Sequence, residues 1–149
     1  MLERHQIVAA AETFIGSPWV HTGRDKRIGV DCVGLVIGVG ADLGLTFIGD
    51  RNHYQIVPND VESEFLDFLI KNQFKPTDEI REGNLLLFKL GKARFPSHSA
   101  VIGSGGKTMI HAMNYRSRNG KLHRVVQHVY GQPWAGRVHS IWEYPGVVN

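Results

Sequence analysis

The apolar residues of this chain repeat at helical spacing as far as Lys71 and at strand spacing from Asn84 onward, and that change of period restricts the available folds more than any single motif. Between Glu3 and Ile15, the positions Ile7, Val8, Ala11, Phe14 and Ile15 share one helical face, and Gly16, Ser17 and Pro18 end the helix. Asp60 to Lys71 repeats the pattern with Val61, Phe65, Phe68 and Leu69 inward, while Trp19 to Gly29 reads as a loop and Thr46 to Asn59 as irregular. The second half holds five short apolar or β-branched segments separated by Gly, Asn or Pro: Asn84 to Leu90, Ser97 to Gly103, Thr108 to Ala112, Leu122 to Gln127 and Arg137 to Tyr144. Helices first and strands second predict an α+β domain, a helical lobe packed on an antiparallel meander. With 149 residues there is room for one sizeable core and no comfortable place for a second domain.

The remaining helix carries the chemistry. Its stretch GVDCVGLVIGV holds Cys32, the only cysteine in the chain. Asp31 is placed to offer its carboxylate to the free N–H groups of the first turn, which puts the thiol over a helix N-terminus. Partial positive charge there favours thiolate, so the thiol pKa is expected below its ordinary ~8.5. Gly34 and Gly38, four residues apart, bare one helix face for close approach of a sheet, while Leu35, Val39 and Leu43 fill a neighbouring stripe and Gly44 stops the helix. The competing reading is a lone buried cysteine acting as a small hydrophobe.

Two of the eight histidines, His98 and His111, fall inside expected strands 13 residues apart, joined through a turn around Gly103 to Gly106. Counted outward from that turn they reach the same distal end of a hairpin, where they can meet. A thiol nucleophile needs a base, and the base needs a polar group that fixes its tautomer and ring plane; Cys32, His98 and His111 supply those three types.

A net charge of +3 and a pI near 9.2 suit a mildly anionic partner, cell-wall polymer or nucleic acid. The positive residues cluster modestly at Arg24, Lys26 and Arg27 and at Arg116, Arg118, Lys121 and Arg124, and no nucleic-acid recognition motif accompanies them. The sequence has no run of the ~18 apolar residues a membrane span needs and no unbroken apolar segment near its start like that of a signal peptide. Synthesis in the cytoplasm is therefore expected, with delivery elsewhere left to something other than a signal of its own. One cysteine excludes an internal disulfide framework.

Four segments, in order, resemble the NlpC-type cell-wall cysteine peptidases. GSPWVHTG is similar to the family's G-T-P-Y-x-x-G-G, VDCVGLV to its D-C-S-G-L-V, REGNLLLF to its P-G-D-L-L-F-F, and SHSAVIGSGGKTMIHA to its H-V-G-I-Y-x-G-x-G-x-x-I-H-A. The resemblance implies a compact papain-like fold, Cys32 as nucleophile, His98 as general base and His111 as the residue orienting it, with no cofactor and no metal. It implies hydrolysis of a peptidoglycan stem-peptide amide, the bond between D-γ-glutamate and the diamino acid. The Ile48 to Pro58 connection and the ending IWEYPG look most like the branch encoded beside phage and prophage tail genes, with phage tail proteins as partners and action in the virion tail or at the cell wall.

Departures from the family pattern bear on the substrate side of the site. Trp19 stands where the family has a Tyr whose hydroxyl helps the Cys32 backbone N–H hold the oxyanion, and an indole N–H donates from a different position. Val33 replaces Ser and Asn84 replaces Asp. His21, in the same loop, is either a substitute polar contact or an exposed loop histidine; Asp31 completes the candidate substrate-side set. Three alternatives stand beside the peptidase: an antibacterial amidase toxin or hydrolase of another amide, a structural tail-assembly module with a relic site, and zinc held by Cys32 and the histidines.

Overall fold

The computed structural model describes residues 1–50, 61–91, 95–117 and 120–148. Helix α1 (Arg4–Glu12) begins where the Gln6 side chain accepts from the Glu3 N–H and buries Ile7, Val8 and Ala11 as the spacing predicts, but it ends before Gly16, and Ile15, expected on the same face, is exposed. A short hairpin of two-residue strands, β1 (Arg24–Asp25) with β2 (Gly29–Val30), begins inside the Trp19 to Gly29 segment expected to be loop and ends one residue beyond it. Helix α2 (Cys32–Asp42) follows at once and closes at Gly44, whose φ of +85° is the left-handed conformation that glycine adopts freely. Helix α3 (Val61–Lys71) buries Phe65, Phe68 and Leu69; Asn72 just beyond it bonds both the N–H and the carbonyl of Ile48. Most of the irregular Thr46 to Asn59 connection lies outside the described residues, as does the side chain of Val61.

Six strands form one antiparallel sheet in the order β3-β8-β4-β5-β6-β7: β3 (Lys75–Thr77), β4 (Leu85–Phe88), β5 (His98–Ile102), β6 (Thr108–Ser117), β7 (Gly120–Val129) and β8 (Val138–Glu143). The meander expectation holds from β4 to β7 and then fails. The last strand returns across the sheet to lie between β3 and β4, because β4, Leu-Leu-Leu-Phe with all four side chains buried, needs partners on both edges and cover on both faces. Strand β3 escaped notice in the sequence because it reads Lys-Pro-Thr, and a proline is tolerated there only because the strand is at the sheet's edge.

Alternation along β4 divides the interior. Leu85 and Leu87 join α1, α2 and α3 in the main core, with Ile7, Phe14, Leu35, Val39, Phe68, Val101 and Ile110. Leu86 and Phe88 face the other way into a smaller cluster with Ala100, Ile102 and Met109, partly covered by Trp134 and Tyr130. Each fully buried Leu, Ile, Val, Phe or Met among them stabilises by roughly 1.5–3 kcal/mol on burial. Arg4 pins α1 to this frame through the Glu82 carbonyl, the Asn84 amide oxygen and Glu143, so Asn84 serves as a buried acceptor between helix and sheet.

Helix α2 departs from expectation in what its glycines meet. A Cβ on Gly34 would lie 2.0 Å from the Gly23 carbonyl, and one on Gly38 would lie 2.6 Å from the Phe14 ring. The bared face therefore admits the preceding loop and Phe14, in the turn after α1, rather than the sheet, while Leu35 and Val39 pack in the main core.

Candidate active site

Asp31 fixes where α2 begins. Its carboxylate accepts from the Gly34 N–H at 2.8 Å, from the Thr22 N–H at 2.8 Å and from Arg24 at 3.2 Å, so helix cap, loop and hairpin share one buried anion. The same Arg24 also grips Asp50 through two N–H groups at 3.0 Å. Lys26 pairs with Asp42 and Arg27 lies by Asp25, so the Arg24, Lys26, Arg27 cluster is largely neutralised within the fold and offers little net charge to an anionic partner. Of the second basic cluster, the side chains of Arg116, Arg118 and Lys121 lie outside the described residues.

Cys32 is the first residue of α2 and is half-buried. The Ser99 hydroxyl donates to its carbonyl at 3.3 Å, and the thiol faces the hydroxyl and backbone N–H of Ser99 and the N–H of Val33. The expected depression of the thiol pKa is overturned: burial pushes it up to about 12, the adjacent Asp31 carboxylate pushes in the same direction, and the Ser99 and Val33 donors only partly oppose them. The helix terminus is there, but the anion that caps it sits beside the sulfur. A thiol held up this far is neutral at physiological pH, and its neighbour is Ser99, with no imidazole bonded to it among the described residues.

His98 adjoins Ser99 on β5, and successive strand residues point to opposite faces. Its ring lies against Phe88, centroids 6.0 Å apart, and its Nε2 meets His111 Nδ1 at 2.8 Å, so the hairpin brings the two histidines together as their spacing predicted. Trp134 covers both, 5.7 Å from His98 and 5.2 Å from His111 between ring centroids. Burial holds His98 down to about 4, and burial together with the neighbouring His98 and His128 holds His111 down to about 2, so both imidazoles are neutral at physiological pH. Cys32 touches Ser99, the strand neighbour of His98, and makes no hydrogen bond to His98 among the described residues.

A third histidine stands behind them: His111 Nε2 meets His128 Nδ1 at 3.0 Å. Sequence reasoning missed it by one residue, because the fourth strand was expected to stop at Gln127 and instead runs to Val129. On the other flank, the Trp19 N–H donates to the His123 carbonyl at 2.8 Å, and the residue bridges Val30 immediately before Asp31. Its indole stacks with His21 at 6.3 Å and lies 6.5 Å from His123. Trp19 and His21 thus form one aromatic flank on the loop leading to the Cys32 helix. Among the described residues no set of three His, Cys, Asp or Glu side chains is disposed to hold a metal ion, and no helix is long and apolar enough to cross a membrane.

A capped cysteine helix laid on an antiparallel sheet, with two bonded histidines on neighbouring strands, is the architecture of a papain-like cysteine peptidase. The NlpC/P60 family model matches residues 16–143, and the chain belongs to that family. Among solved structures it is similar to the NlpC/p60 domain of the peptidoglycan hydrolase SagA, with 23% identity and a TM-score of 0.51 over 86% of this chain and 90% of that one. It is also similar to a lipoprotein-like NLP/P60 family protein of Staphylococcus aureus (18%, TM-score 0.61, 98% of this chain and 42% of that one). A Bacillus cereus NlpC/P60 family protein matches comparably (17%, TM-score 0.62, 95% and 40%), so the chain spans about two fifths of the length of these last two. No curated protein sequence matches it.

Proposed function

We propose that this NlpC/P60 domain is a cysteine hydrolase that cleaves an amide of the peptidoglycan stem peptide, the bond between D-γ-glutamate and the diamino acid. The observation that carries the reading is the 2.8 Å bond between His98 and His111 on the strand that meets the lone cysteine's helix. With His98 Nε2 engaged by His111, Nδ1 is the nitrogen left to take the thiol proton. Because the resting thiol is neutral, His98 works as a general base at the moment Cys32 attacks the scissile carbonyl. The tetrahedral oxyanion is met by the Cys32 backbone N–H, with the Trp19 indole on the flank where relatives use a tyrosine. His98 then returns the proton to the leaving amine, and water hydrolyses the acyl-enzyme. No step calls for a cofactor.

The same reading places the protein at the cell wall, carried there with a phage tail, on the resemblance of its ending IWEYPG to tail-associated relatives. A second reading, a tail-assembly module that no longer turns over, is favoured by the resting contact of the thiol with Ser99 in place of an imidazole. Digesting purified murein with the protein and with Cys32→Ala, and weighing the fragments by mass spectrometry, separates the two. Peptidase action releases fragments ending in D-glutamate with the wild type only. Intact murein from both proteins would leave the module, and equal fragments from both would remove Cys32 from the chemistry.

A further inference from the structure

We infer that His128 is a positioning residue that sets the tautomer of the base through His111; the inference deepens the proposed role of His98 and rests on it. One histidine comes from each of three neighbouring strands, β5, β6 and β7. His111 pairs across from Val126, and His128, two residues on, returns to the same face, which lets the two rings meet edge to face with centroids 4.9 Å apart. The nitrogens make a continuous line: His98 Nε2 to His111 Nδ1 at 2.8 Å, then His111 Nε2 to His128 Nδ1 at 3.0 Å.

A neutral imidazole has one N–H and one lone pair, so the two bonds of His111 must run in the same direction along the line. Removing the thiol proton requires the lone pair of His98 at Nδ1, hence its hydrogen on Nε2, donated to His111 Nδ1. His111 then carries its own hydrogen on Nε2 and must donate it onward. His111 is fully buried, and an unbonded N–H there would cost roughly 1–3 kcal/mol. His128 Nδ1 accepts that hydrogen. Without an acceptor at this place, His111 lowers its energy by moving its hydrogen to Nδ1, which drives the His98 hydrogen to Nδ1 and removes the lone pair that the thiol needs. His128 itself is half-buried, and its Nε2 makes no hydrogen bond among the described residues, so its own hydrogen can point to water.

The experiment uses the whole chain with ¹⁵N-labelled histidine. Long-range ¹H–¹⁵N correlation at neutral pH reads each tautomer, and initial rates on a stem-peptide substrate are taken for His128→Gln, His128→Leu and His128→Lys, each checked for fold by its amide spectrum. In the wild type, His98 and His111 are expected to carry hydrogen on Nε2. His128→Gln keeps an oxygen acceptor and should keep the tautomers and most of the rate. His128→Leu should lose at least tenfold in kcat with KM little changed. His128→Lys, a donor only, should lose more, toward the ~10⁴-fold seen when a triad histidine is held in the wrong tautomer, with both hydrogens shifted to Nδ1. A wild-type His111 protonated on Nδ1 overturns the inference even if every variant fails to fold. So does a Leu variant with wild-type rate and tautomers, or a Gln variant as slow as Leu. The reading of His98 as base fails separately: full activity in His98→Ala would remove it while the tautomer spectra still judged the histidine line.

Discussion

Replacing Asp31 by Asn should lower stability and activate the thiol at the same time, two effects of opposite value from one side chain. The carboxylate accepts from Gly34 and Arg24 with one oxygen and from Thr22 with the other. An asparagine that keeps its oxygen on Gly34 turns its amide nitrogen toward the Thr22 N–H, donor against donor, in a place only 3% exposed. A buried donor without an acceptor costs about 1–3 kcal/mol. Arg24 keeps Asp50, so the full penalty of an abandoned buried charge does not apply. A loss of about 2 kcal/mol is expected, or about 4–8 °C in Tm for a chain of this length. The Asp31 charge is also the second cause, after burial, of the raised Cys32 pKa. Its removal should move the midpoint of iodoacetamide labelling down from about 12 while leaving it alkaline, since burial persists. Urea unfolding and labelling rates across pH, on wild type and variant, check both halves. Unchanged stability with an unchanged or raised labelling midpoint would refute the assignment of Asp31 as helix cap and local anion.

Two further outcomes follow from the buried histidines and the helix glycines. Since burial disfavours the imidazolium and brings His98 from the ordinary 6.5 to about 4, the acid limb of kcat/KM should fall with a midpoint near 4; one near 6.5 would mean a solvated base. His111, held down to about 2, refuses a proton that the unfolded chain accepts below pH 6.5. Stability should therefore fall with pH below that point, by up to about 1.4 kcal/mol per pH unit for each such histidine, and equal urea midpoints at pH 7 and 5 would contradict it. Gly34→Ala should destabilise by about 1–3 kcal/mol, because its Cβ meets a backbone carbonyl at 2.0 Å and this outweighs the ~1 kcal/mol of helix propensity gained. Gly38→Ala, which meets a ring at 2.6 Å, should lose less, and the reverse order in thermal melts would refute the packing described for α2.

What the sequence determined is whatever period and short spacing encode. Ile7, Val8 and Ala11, or Phe65, Phe68 and Leu69, declare a buried helical face locally, because a helix returns to the same side every three or four residues. The meeting of His98 and His111 was legible for the same reason, since a tight turn between two strands converts 13 residues of separation into adjacency. Asp31 announced its cap by standing directly before an apolar run. Tertiary structure decided what depends on neighbours remote in the chain. The return of β8 to β4 answers the need of a strand buried on both faces, which no local pattern specifies. His128 entered the site through the diagonal between β6 and β7, a relation set by register and by a strand that runs two residues past the end of its apolar stretch. The thiol's character reversed because a charge is governed by everything around it: the helix terminus is local and visible in the sequence, whereas the burial that outweighs it is created only when the sheet closes over Cys32.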